Sequence, residues 1–94
     1  MSPEQHRAEL TILRAQAHTN QAAAIEAQLR AYNPYTTDRP EDLWAVAEAA
    51  EQTWLTTLDL IARGERALIE ALIQRDREGL QVAHEKYENG EAVA

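Results

Sequence analysis

Apolar residues return every three or four positions along most of the chain, the spacing of helices rather than strands. Two stripes share the first thirty residues: Leu10, Leu13, Ala17, Asn20, Ala24, Ala27 and Ala31, and beside it Ala8, Ile12, Ala15, Thr19, Ala22 and Leu29, with Ile25 and Tyr32 close by. A broad, shallow apolar face of this kind suits a helix with two neighbours. Ser2-Pro3-Glu4-Gln5 supplies a start, with Ser2 as cap, Pro3 at the first helical position and Gln5 completing a capping box. A helix over residues 3–32 is predicted. Asn33-Pro34 closes it, and the polar run to Asp38 is turn chemistry.

A second pattern starts at Asp38-Arg39-Pro40-Glu41, read as a cap at Asp38 with Glu41 at the third position. Its stripe is Leu43, Ala47, Ala50, Trp54, Leu58 and Ile61, flanked by Val46 and Leu55. It resumes beyond Gly64 as Leu68, Ile69, Leu72, Ile73, Leu80, Ala83 and Tyr87. The period does not slip at Gly64, and no capping residue follows it. Asn89-Gly90 reads as the stop, with a tail from residue 91.

Length then sets the topology. A helix over residues 39–88 spans about 75 Å and a helix over 3–32 about 45 Å. The remainder, carrying Leu68, Ile69, Leu72, Ile73, Leu80 and Val82, is a patch a monomer rarely leaves bare. The fold class is therefore all-α in one domain, a helical hairpin with a long second helix assembled with other copies. A turn at Gly64, giving helices over 39–63 and 65–88 in a three-helix bundle, is the alternative.

Composition supports assembly. Of 94 residues 18 are Ala and none is Phe or Cys, so a single chain has little core volume and no disulfide or thiolate site to staple it. The net charge of −7 opposes direct binding to nucleic acid or to anionic membrane. Residues 34–62 hold one Arg against six acids, net −5, whereas residues 63–94 hold five bases against seven acids, net −2. No apolar run reaches the ~20 residues of a membrane span, and the N-terminus lacks a signal-peptide pattern; a cytoplasmic setting is expected, in a host cytoplasm if the chain is phage-encoded.

Little in the chain carries reaction chemistry. No Ser follows Ser2, three scattered glycines form no phosphate loop, and His6, His18 and His84 lack a spacing that gathers metal ligands. No enzyme activity, catalytic residue, cofactor or metal site is expected. The expected role is protein–protein contact: self-association through Leu68, Ile69, Leu72, Ile73, Leu80 and Tyr87, and partner binding through Trp44, set among Asp38, Glu41, Asp42, Glu48 and Glu51. Trp44 is expected either to pack under the loop with Tyr32 or Tyr35 or to stand out as an anchor. Adaptor, assembly factor and steric inhibitor or neutraliser of a larger protein are the corresponding classes, with acidic mimicry of nucleic acid in a basic groove as an alternative.

In outline the chain resembles the WXG100 family of exported helical hairpins, through Trp44 near the turn and Tyr87-Glu88-Asn89-Gly90-Glu91 near the end. That resemblance implies an exported hairpin. Trp44-Ala45-Val46 stands where the family has Trp-x-Gly, and the long second helix departs from its balanced hairpin.

Overall fold

The computed structural model describes residues 1–36 and 38–88. It holds two helices, α1 (Pro3–Ala31) and α2 (Pro40–Glu88), packed antiparallel. The hairpin is a rod of 82 × 15 × 15 Å with a radius of gyration of 23.4 Å; a compact chain of this length would have about 12 Å. The expected stop at Asn89-Gly90, the tail and most of the Tyr87–Glu91 motif lie outside the described residues.

The start of α1 forms as its sequence dictates. The Gln5 amide donates to Ser2 Oγ at 3.2 Å, and the Ser2 amide donates to Gln5 Oε1 at 2.8 Å, so two otherwise unpaired helix-end donors are satisfied. The start of α2 differs from expectation. Its first helical acceptor is the Arg39 carbonyl, which takes the Leu43 amide at 3.2 Å. Arg39, not Asp38, therefore stands at the cap, and Pro40 occupies the first helical position, where its missing N–H has no partner to lose.

The buried and half-buried residues follow alternating three- and four-residue steps. On α1 they are Pro3, His6, Leu10, Leu13, Ala17, Asn20, Ala24, Ala27 and Ala31, with Gln28 half-buried beside them, which is the first predicted stripe extended to the helix start. On α2 they include Leu43, Ala47, Ala50, Trp54, Thr57, Ile61, Gly64, Leu68 and Ala71. A 3.5-residue repeat keeps one seam facing its neighbour along two supercoiled helices. Thr57, not the predicted Leu58, is the seam residue at that turn; Leu58 is 40% exposed. Asn20 Nδ2 donates to Thr57 Oγ1 at 2.8 Å, and the Thr57 hydroxyl donates to the Thr53 carbonyl at 2.9 Å. The pair satisfies its own polar atoms inside a seam of methyl groups.

The helix runs unbroken through Gly64, which removes the three-helix alternative. A Cβ at Gly64 would lie 2.9 Å from Leu10 Cδ2, and Leu10 is 2% exposed. Gly64 is the hole that receives Leu10, the largest fully buried side chain. Its missing side chain serves packing rather than a turn.

Candidate interaction surface

Three contacts fix how far α1 covers α2. At the loop end Tyr32 meets Trp44 edge to face, with ring centroids 4.9 Å apart. Midway along, Arg14 pairs with Glu65 at 3.3 Å. At the far end Arg75 Nη2 donates to both Glu4 oxygens, at 3.0 and 2.9 Å. This last bond, more than any other influence, holds the Glu4 carboxyl down to about 2, and Glu4 in turn raises Arg75. Both groups are solvent-exposed, so the pair marks a register more than it anchors the fold.

Because α1 ends beside Trp44 rather than beside Pro40, it reaches several residues farther along α2 than the two lengths alone imply. Leu68 and Leu72, expected in the uncovered segment, are half-buried instead. The uncovered part of α2 runs from Asp76 to Glu88, about 20 Å of helix.

The remaining predicted contact residues stay exposed: Ile73 at 46%, Leu80 at 72%, Tyr87 at 69%, with Ile69 also exposed. Steps of four, seven and seven place Ile69, Ile73, Leu80 and Tyr87 on one stripe. Leu55, Leu58 and Ala62, likewise exposed, continue it toward the loop. This stripe is distinct from the seam. Past Ala71 the seam positions become Arg75, Glu78, Val82 and Glu85, so three of the four inward positions are charged where α1 ends, while Ile73, Leu80 and Tyr87 keep the outward stripe apolar. The second α1 stripe (Ala8, Ile12, Ala15, Thr19, Ala22, Leu29) is also exposed throughout. The breadth of the apolar face of α1 predicted two neighbours, and the structure shows one, α2.

The acidic cluster is a solvated face. Asp38, Glu41, Asp42 and Glu48 are exposed and Glu51 is half-buried. Trp44, among them, is engaged with Tyr32 yet remains 39% exposed, while Tyr35 stands clear of the pair. A side groove between the helices is lined by Arg14, Ala17, His18 and Gln21 of α1 and Trp54, Leu58 and Ile61 of α2. Leu58 thus borders both the groove and the outward stripe. Among the described residues no three His, Cys, Asp or Glu side chains converge to hold a metal ion, and no helix is long and apolar enough to cross a membrane.

The seam position of Thr57 and the role of Gly64 were missed by hydrophobicity alone. The strict three-four alternation Ala47, Ala50, Trp54, Thr57, Ile61, Gly64, Leu68 is the signal that finds both. Set beside known families, curated proteins and solved structures, the chain finds no match.

Proposed function

We propose that the protein is a non-catalytic contact module, a stiff hairpin that binds protein through the outward stripe of α2 and acts as an adaptor, assembly factor or steric inhibitor in the cytoplasm. The observation that supports this is the apolar row Ile69, Ile73, Leu80, Tyr87, which continues along α2 past the last residue that α1 covers. Exposed apolar rows of this length are otherwise avoided in soluble monomers. A rod with two ends and several faces suits steric work, since it presents large side chains at fixed spacing without reacting groups.

A photo-crosslinking residue placed at Leu80 tests the reading in cells, with one at exposed Gln16 as comparison. Protein adducts from position 80 and not from 16 are expected; equal or absent labelling removes the proposal. Adducts obtained instead from a crosslinker at Glu41, and lost steeply with added salt, would shift the reading to nucleic-acid mimicry.

A further inference from the structure

We infer that the partner covering the outward stripe is a second copy of this chain, whose α2 lies antiparallel to the first across a two-fold axis beside Glu65 and Arg66. This rests on the contact-module reading and specifies its partner.

Area is the first ground. The chain exposes 7406 Å², whereas a compact monomer of 10.6 kDa exposes about 5,500 Å². Even with an allowance on the order of 900 Å² set aside for residues 89–94, which lie outside the described residues, about 1,000 Å² of excess remains. A standard interface takes about 800 Å² from each partner, so the excess matches one more helical neighbour.

The orientation follows from charge. Parallel copies would set the −5 segment, residues 34–62, against itself. Antiparallel copies set it against residues 63–94, which hold five of the nine basic groups and are net −2, so the repulsion between like charges is smaller. With the axis beside Glu65 and Arg66, Arg63 faces the partner's Glu70, and Lys86 comes beside the partner's Trp44 and Glu48. The apolar rows interleave in the same register: Leu58 meets the partner's Ile73, and Ala62 meets the partner's Ile69. The uncovered end, residues 76–88, then lies along the partner's Leu43–Leu55. Such an interface is isologous and closes as a dimer. In the single chain Arg63 reaches Asp59 at 3.0 Å, which sets its guanidinium on the α2 surface.

Light scattering on the purified full-length chain, up to about 100 µM, is the first measurement, and a mass twice 10.6 kDa is expected. Charge reversal then reads the register. Arg63→Glu and Glu70→Arg each raise the dimer dissociation constant by about tenfold, and the double variant recovers most of that loss. The chain has no native thiol, so single cysteines report proximity without unfolding the chain. Arg66→Cys near the axis is expected to couple to its copy through a short bismaleimide, whereas Thr19→Cys on the back of α1 is not. A mass that stays at 10.6 kDa overturns the dimer, and the contact-module reading then stands or falls by the Leu80 adduct alone. A dimer that couples at Thr19 and not at Arg66, or whose charge reversals fail to compensate, overturns the α2 pairing.

Discussion

At the scale of single residues, two glycines in one helix make opposite predictions. Gly79 has nothing within 4 Å of where a Cβ would stand, so Gly79→Ala gains helix propensity, about 1 kcal/mol, and raises the melting temperature by roughly 4–8 °C. Gly64→Ala gains the same propensity but drives a methyl to 2.9 Å from the buried Leu10, and it is expected to melt lower than Gly79→Ala by several degrees. Equal melting temperatures would show that Leu10 does not seat against Gly64. The Asn20–Thr57 bond is tested similarly. Thr57→Val leaves the Asn20 amide facing a methyl group and costs about 1–2 kcal/mol, while Asn20→Leu combined with Thr57→Val recovers most of that loss. Neither glycine's role is legible from propensity, because a missing side chain has no hydrophobicity to follow; only its place in the seven-residue repeat separates the seam position Gly64 from the exposed Gly79.

At the scale of elements, much was legible. The α1 start, the loop after Tyr32 and the unbroken α2 follow from capping chemistry, Asn33-Pro34 and a period that never slips. The extent of cover was not legible, because a helix pair's register is fixed by contacts distant in sequence. Tyr32 on Trp44 and Glu4 on Arg75 set it, and together they move Leu68 and Leu72 under α1. Glu4 also gives the register a pH signature. Its folded-state pKa lies near 2, below the ordinary carboxylate value, so its contribution is present near neutral pH and fades as pH falls toward 2. In melts followed by circular dichroism, the parent chain is expected to exceed Glu4→Gln slightly near pH 7, with the difference closing on acidification. A gap that persists unchanged at pH 2 would assign the effect to packing rather than to the ion pair.

At the scale of the whole molecule, the seam between the two helices is slight. Among the described residues its buried apolar core is Leu10, Ala17, Ala24 and Ala47, and three of those four side chains are single methyl groups. Two helices joined only along that seam bury little, while the larger side chains of the outward stripe face water. If a second copy covers the stripe, folding and association are one equilibrium, and the melting temperature must depend on concentration. With an unfolding enthalpy of about 0.7 kcal/mol per residue, a dimer of two 94-residue chains absorbs on the order of 130 kcal/mol. Each tenfold increase in protein should then raise the midpoint by about 4 °C. Leu80→Glu, which sets a carboxylate against the partner's acidic half, should lower the midpoint and flatten that slope, whereas Ile12→Glu on the back of α1 should leave the slope intact. A midpoint independent of concentration in the parent chain would mean that the seam of Leu10, Gly64 and the alanines suffices alone.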